Sequence, residues 1–412
     1  MKFNERQMRA FDYALDDRIK TLFITGEGGT GKTEVAKEII KALREQEKDV
    51  VVIAPTHSAS KNLPCGQTIA SFFKLAPTVN YYADKEDEAL SFNADDIDYD
   101  EFRGKTILVD EASMIGEKQF DELLSKLRVK KLIILGDPEQ LRPIKDSRFD
   151  WEEFCDEKVV LNVNYRTTNP KSKSVIDAFL KNGEMILPFS KKIKYEKDTV
   201  YIAHKNKTLS DMQKALLGYT TAKEGDQLLT FGGCDTHLRK TINRCSHQKE
   251  VEPYFLNNDI VIAMSEPKPY AKDLYEVSVS DIQVTQPLPK DNWAPASPVV
   301  IVGDYDAYKT LLNQKFSPAR KFANDMRKKY QATNTGALKN RMTTIENKQW
   351  NLLWATYMQM KSRPYARHQQ FRTVYKSQGK SFEHVVVAWD DLPSDEHRYV
   401  ALSRARNNLE VV

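Results

Sequence analysis

Short apolar runs alternate with amphipathic stretches over roughly the first 170 residues. Thr21–Thr25, Val50–Ala54, Thr106–Val109 and Leu132–Leu135 are rich in β-branched residues and leucine. Runs of this kind fit strands covered on both faces. Between the first two, Glu34–Gln46 sets Val35, Ile39, Ala42 and Leu43 on one face of a helix. Strand, helix and strand in this rhythm predict an α/β fold with a parallel sheet. The pattern restarts after residue 170. Asp226–Phe231, Asn258–Ala263 and Pro298–Val302 read as strands, His237–Arg244 as the start of a helix, and Glu383–Trp389 and Leu409–Val412 as closing strands. Trp350, Trp354 and Tyr357 share one helix face, where packing explains them. Two stretches break the rhythm. Thr78–Asp100 is acidic, aromatic and aperiodic, and fits a projecting hairpin or a solvated loop equally well. Residues 264–345 gain proline and predict a β-rich insertion with a basic helix near Ser317–Tyr330.

Composition narrows the classes. The 412 residues suit two to three domains at roughly 150 residues each. Hydrophobic residues at 41% supply ordinary cores, and 16 Gly with 17 Pro are too few for a disordered or collagen-like chain. The 62 basic residues nearly balance the 58 acidic ones, so a nucleic-acid partner must be held by local patches. No apolar run reaches the roughly 20 residues of a membrane span. The start, Met1–Gln7, lacks an apolar signal core. Cys65, Cys155, Cys234 and Cys245 are unevenly spaced, which sets the expectation of a cytoplasmic protein without a disulfide scaffold. Cys234, His237, Cys245 and His247 depart from the usual zinc spacing.

The chemistry concentrates at strand ends. Gly26–Thr33 reads Gly-Glu-Gly-Gly-Thr-Gly-Lys-Thr and follows a strand while opening a helix. That context makes it a phosphate-binding loop. Gly26, Gly28, Gly29, Thr30 and Gly31 supply a curled backbone whose N–H groups face an anion. Lys32 reaches the β and γ phosphates of ATP, and the Thr33 hydroxyl ligates Mg²⁺. Thr106–Glu111 is a strand ending in two carboxylates. Asp110 suits the metal shell and Glu111 suits a base for the attacking water. Gln140, in Gly136–Gln140, can hydrogen-bond the γ-phosphate, and Gly-Asp-Pro by itself reads as a turn.

In this order the motifs resemble those of superfamily 1 helicases, most closely the 5′→3′ branch, 1B, of RecD and Dda-type enzymes. Gln7, within Asn4–Phe11, resembles the adenine-reading glutamine. Ala54–Ser60 resembles motif Ia, and Gly66–Phe72 the DNA-contacting segment after it. Asp110–Met114 resembles motif II, Gly136–Arg142 motif III, and Leu161–Arg166 motif IV. Thr373–Gly379 resembles motif V, and Tyr399–Arg406 motif VI. Tyr375 and Ala70 stand where the family often has histidine, which alters the detail of strand contact.

The resemblance implies two RecA-like P-loop domains, each with an insertion. These are 1–77 with 101–165, interrupted by a pin hairpin at 78–100, and 166–263 with 346–412, interrupted by a barrel-like insertion at 264–345. No further domain is expected after motif VI. Arg166 and Arg404 match the family's two arginines for the γ-phosphate, and Gln378 and Gly379 join the nucleotide set. Pro55, Thr56, His57, Thr68, Phe72, Thr373 and Lys376 are the implied DNA contacts. Tyr81, Tyr82 or Phe92 would part the duplex. The implied activity is ATP-driven 5′→3′ translocation on single-stranded and forked DNA, by a monomer, without a membrane partner. A single-stranded DNA-binding protein or replisome component is the implied partner, and a phage or mobile-element role the implied setting, in the host cytoplasm if phage-encoded. A nucleotide-gated DNA clamp and an RNA helicase are the alternatives.

Overall fold

The computed structural model describes residues 3–73, 77–79, 90–92, 99–143, 146–190, 192–231, 238–242, 249–253, 259–266, 268–269, 279–285, 287–288, 292–293, 297–302, 305–331, 335–361 and 365–412. Two compact units form: 1–75 with 94–212 and 370–412, and 76–93 with 213–369.

The first unit contains two parallel sheets. The larger has six strands in the order Gly66–Thr68, Val50–Ala54, Thr106–Val109, Lys131–Gly136, Thr21–Gly26 and Glu157–Leu161. All of its pairings are parallel. Side-chain alternation explains why these runs are apolar throughout. Leu22, Ile24, Ile133 and Leu135 point to one layer, where helix Lys32–Glu45 buries Val35, Ala36, Ile39, Ile40 and Leu43. Ile40 thus takes the place expected of Ala42, which is only half-buried. Phe23, Ile53, Ile107 and Ile134 point to the other layer, against Phe72, Phe102, Phe120 and Trp151. A strand buried on both faces has no polar position to spare.

The smaller sheet has four parallel strands, Phe371–Thr373, Thr199–Ala203, Phe382–Val387 and Ala405–Val411, in that order. Val200, Ile202, Val385 and Val387 pack there with Tyr399 and Leu402 of helix Asp395–Leu402. The α/β, parallel-sheet class expected from the apolar rhythm is what the chain adopts.

In the second unit, strands Ile260–Ala263, Gln227–Thr230, Tyr365–His368, Ser297–Val302 and Val279–Thr285 pair in that order. Val279–Thr285 pairs back to Ile260–Ala263 and closes the ring. The barrel therefore draws in strands on both sides of 264–345, because ring closure needs partners that local pattern does not reveal. Helix Tyr305–Tyr330 extends the expected basic helix toward its N-terminus. Trp350 is buried with Ala323, Leu338 and Met342, as packing predicted. Leu238–Ile242 is not a helix but a strand paired with Lys249–Pro253. Cross-strand partners outweigh a weak local helix signal there. Pro77–Val79 pairs antiparallel with Leu90–Phe92, so the stretch expected as hairpin or loop has a hairpin backbone. Tyr81, Tyr82, Cys234, His237, Cys245 and His247 lie outside the described residues. Among the described residues no helix is long and apolar enough to cross a membrane.

Ile133 is fully buried at the centre of the six-stranded sheet. Ile133→Ala is expected to lower unfolding stability by about 2–5 kcal/mol. Leu352→Ala, at a side chain 68% exposed, should change it by no more than about 0.5 kcal/mol. Urea unfolding followed by intrinsic tryptophan fluorescence measures both.

Candidate functional site

The site forms where strand Thr21–Gly26 turns into helix Lys32–Glu45. Gly29 and Gly31 adopt φ of +95° and +87°, which L side chains rarely accept. The surroundings would exclude a side chain even without that constraint. A Cβ on Gly29 would lie 2.5 Å from both Arg166 Cβ and Asn164 Oδ1, and one on Gly26 would lie 2.2 Å from the Leu161 carbonyl oxygen. The Gly29 carbonyl accepts the Tyr165 backbone N–H at 2.8 Å. The loop after the edge strand Glu157–Leu161 therefore clamps the turn from the same sheet.

Gln7 buttresses the turn from the other side. Its Nε2 donates to the Thr30 carbonyl at 3.1 Å, and its Oε1 accepts the Asn4 N–H at 3.1 Å in a capping box. Both ends of its amide are engaged with the chain, so here it positions the turn.

A cavity of about 460 Å³ opens at the turn, lined by Gly28, Lys32, Thr33, Asp110, Glu111, Gln140, Arg166, Glu383, Arg404 and Arg406, among others. The Lys32 ammonium donates to the carbonyls of Gly26 and Glu27. Burial holds its pKa below the ordinary lysine value. A Cβ on Gly28 would lie 3.2 Å from Arg166 Nη1 and 3.3 Å from Arg404 Nη2. Both guanidinium groups therefore converge on the phosphate turn. Arg166 Nη1 donates to the Ser403 carbonyl at 3.2 Å. Arg404 donates to the Val400 and Lys380 carbonyls and to the Ser403 hydroxyl, and is only 1% exposed. Burial pushes Arg166 down to about 10, with the neighbouring Arg404 charge adding to the effect, and burial lowers Arg404 as well. Buried cations held by neutral acceptors favour an anion beside them.

Acidic groups face these cations. Asp110 ends strand Thr106–Val109, and burial, with Glu111 beside it, raises its pKa from 3.8 to about 7. Glu111 sits in the left-handed region at φ +52°, a strained placement for a non-glycine residue. Mg²⁺ is the ion that such a site implies, and the residues fit it. Two adjacent carboxyl groups, which a divalent cation would hold ionised, and the Thr33 hydroxyl line the same cavity. Among the described residues no three His, Cys, Asp or Glu side chains form a complete ligand set. An ion that takes most of its ligands from water and phosphate needs none.

Gln140 is held from both sides. Its Nε2 donates to Asp137 Oδ2 at 3.0 Å, and its Oε1 accepts from Gln378 Nε2 at 3.2 Å. Gly379 adopts φ +72°, with Glu111 Oε1 3.5 Å from where its Cβ would be. Lys32, Thr33, Asp110, Glu111, Gln140, Arg166, Gln378, Gly379 and Arg404 are thus gathered in one place. Asp137, Asn164, Tyr165 and Tyr399 also belong to it, though sequence alone did not single them out. Asp137 stood inside a turn signal, and the others had no pattern of their own.

The residues expected to meet DNA divide differently. Thr56 Oγ1 accepts the Ala59 N–H and Thr68 Oγ1 the Ser71 N–H, so each hydroxyl serves a local helix start. Phe72 is not a stacking platform. It is 6% exposed and packs with Phe102 and Phe73 at ring separations of 4.4 and 4.7 Å. Its phenyl group is worth more in the core than on the surface. Pro55 is half-buried, and Thr373 caps helix Val374–Ser377. Lys376 is pushed down to about 8 by burial, with Lys380 and Arg372 nearby, which suits a phosphate contact. Tyr375 is 37% exposed, and its hydroxyl meets His397 Nε2 at 3.3 Å.

A raised carboxyl pKa makes the folded state hold its proton more tightly than the unfolded one. Asp110 therefore adds stability at low pH that is lost as pH rises from about 4 to 7. Without divalent cation, the melting temperature should fall between about pH 4 and 7, and Asp110→Asn should flatten that fall. Thermal melts of both proteins across this range measure it.

The chain is similar to known proteins over parts of its length. An AAA domain model matches residues 2–198, and a viral superfamily 1 RNA helicase core domain model matches residues 310–412. The chain is 33% identical over 151 residues to the ATP-dependent DNA helicase dda of Enterobacteria phage T4, covering 34% of this chain and 33% of that protein. It is 32% identical over 145 residues to the RecBCD enzyme subunit RecD of Buchnera aphidicola subsp. Schizaphis graminum, covering 31% of this chain and 23% of that one. The matched stretch thus spans a third or less of these relatives. The fold is similar to that of Bacteroides Pif1 bound to single-stranded DNA, at TM-score 0.55 and 15% identity, over 100% of this chain and 92% of that one. Over its matched stretches the chain is thus similar to an AAA domain and to a viral superfamily 1 RNA helicase core, and over about a third of its length to the dda helicase and to RecD.

Proposed function

We propose that this chain is an ATP-dependent DNA helicase that moves 5′→3′ along single-stranded DNA. One observation carries the reading: buried Arg404 and half-buried Arg166, without a carboxylate among the hydrogen-bond partners given above, converge on the glycine-rich turn beside Lys32. Charge builds on the γ-phosphoryl oxygens as the anhydride bond breaks, and fixed cations there stabilise it. In this reading the turn's N–H groups and Lys32 hold the β and γ phosphates. Thr33 and Asp110 would hold Mg²⁺, which supplies charge neutralisation on the phosphate oxygens. Glu111 accepts a proton from the attacking water, and Gln140 orients that water. Gln7, at the back of the turn, is the proposed contact for adenine.

Arg404 leaves helix Asp395–Leu402 of the smaller sheet's layer, while Lys32 opens a helix of the larger sheet. Loss of the γ-phosphate would relax the link between them and drive a step. The strand itself is assigned to Pro55, Thr56 and His57 on one side and to Thr373 and Lys376 on the other. The hairpin at 77–92 is the proposed strand separator, with Tyr81, Tyr82 or Phe92 meeting the first base pair. Polarity is proposed on the resemblance of the motifs to the 1B branch. DNA as substrate is proposed from the likeness to dda, an ATP-dependent DNA helicase, and a Pif1 of similar fold was solved bound to single-stranded DNA. The model matching residues 310–412 describes an RNA helicase core, which keeps RNA as the second reading.

Lys32→Ala is expected to abolish ATP turnover. Glu111→Gln should keep ATP binding and slow hydrolysis at least about 100-fold. A phosphate-release assay and fluorescent-nucleotide titration measure both, and near-normal turnover in either variant contradicts the site. Duplexes with only a 5′ or only a 3′ single-stranded tail test direction, and the same duplexes with RNA tails test the substrate. Unwinding from the 5′ DNA tail is expected. In that assay, deleting Asp84–Phe92 should cut unwinding while DNA-stimulated hydrolysis persists.

A further inference from the structure

Tyr399 is a buried phenol whose hydroxyl joins two loops. It accepts the Gly28 backbone N–H at 2.9 Å and donates to Asp137 Oδ2 at 2.9 Å. The same carboxylate oxygen accepts Gln140 Nε2 at 3.0 Å, and the Glu139 N–H reaches Oδ1 at 3.1 Å. Gln378 Nε2 completes the chain on Gln140 Oε1 at 3.2 Å. Asp137 is 1% exposed, Tyr399 2%, Gln140 4% and Gln378 6%. A fully buried carboxylate is costly unless its oxygens are filled, and here N–H and O–H donors fill both.

We infer that Tyr399 and Asp137 are positioning residues that tie the Gly28 amide of the phosphate turn to the side-chain amide of Gln140. The inference rests on the nucleotide reading of the site and deepens it. A phosphate oxygen approaching the turn must share or take the Gly28 N–H from the phenol. Losing that N–H weakens the phenol's donation of its one proton to Asp137, and Asp137 in turn holds the Gln140 N–H. The presence of phosphate at the turn is thereby reported to the group that orients the attacking water, without a charged residue moving. Burial and the Asp137 charge hold the phenol above its ordinary pKa, so it keeps the proton that it donates. Asp137, its acceptor sites filled, acts through Gln140 and is not itself the base.

The test compares wild type, Lys32→Ala, Tyr399→Phe, Gln140→Ala and the Tyr399→Phe/Gln140→Ala double variant in steady-state ATP hydrolysis with single-stranded DNA. Tyr399→Phe is expected to lower kcat roughly 10- to 100-fold. KM for ATP should stay within about twofold, because ground-state binding is untouched. Its melting temperature should fall modestly, because Asp137 and the Gly28 N–H each lose a buried partner, whereas a loss of kcat at unchanged KM is what a merely structural role would not give. The double variant should be no slower than Gln140→Ala, because both changes break one chain. Wild-type kcat in Tyr399→Phe alongside an inactive Lys32→Ala overturns the inference and leaves the nucleotide site standing. So does a double variant that loses the product of the two single losses. Absence of turnover in wild type, or full turnover in Lys32→Ala, overturns the site reading and the inference with it. Should Tyr399→Phe fail to fold, Asp137→Asn keeps the shape, removes the charge, and is expected to show the same fall in kcat at unchanged KM. Unchanged kcat there overturns the inference.

Discussion

Positive charge buried beside a backbone cradle is the constraint on which the first unit depends. Arg404 is buried, Lys32 and Arg166 are half-buried, and their partners at the turn are neutral carbonyls and a hydroxyl. Such an arrangement is stable only because the chain around it is rigid. Six parallel strands packed on both faces bring the turn, the Asp110–Glu111 pair and the Gln140 loop to adjacent strand ends. Ligand sites in open α/β sheets gather at such ends. The glycines serve the same demand, since at Gly26 and Gly29 neighbouring atoms occupy the space that a side chain would need.

The two arginines reach the turn by different routes. Arg166 follows the edge strand Glu157–Leu161 of the same sheet as Lys32, and its neighbour Tyr165 is hydrogen-bonded to Gly29. Arg404 follows helix Asp395–Leu402, which packs on the smaller sheet. The expected split, with both arginines facing Lys32 from a second lobe, is therefore too simple: one cation is built into the nucleotide sheet and the other belongs to the smaller one.

Polar groups in the core of this site form a chain and not a set of isolated contacts. Gly28, Tyr399, Asp137, Gln140 and Gln378 come from segments that resemble four different helicase motifs. Buried hydrogen bonds of this kind strengthen one another where water is excluded, and each is costly to leave unmade. The same economy explains the fate of Phe72 and Thr68. An aromatic ring and a hydroxyl that looked available for DNA are spent on the core and on a helix cap.

Local chemistry in the sequence was enough to determine the phosphate turn, the acidic strand end, the buried strands and the parallel-sheet class. In each, a few adjacent residues carry the whole requirement, such as glycines for positive φ or β-branched runs for a strand covered twice. The tertiary structure alone decided what depends on distant partners. It drew Arg166 and Arg404 onto Gly28, filled both oxygens of Asp137, and paired Leu238–Ile242 as a strand. It also closed a ring from strands as far apart as Gln227–Thr230 and Tyr365–His368. Hydrogen-bond partners and ring closure are properties of approach in space. A one-dimensional pattern records which residues are able to make such contacts, and the fold selects which of them do.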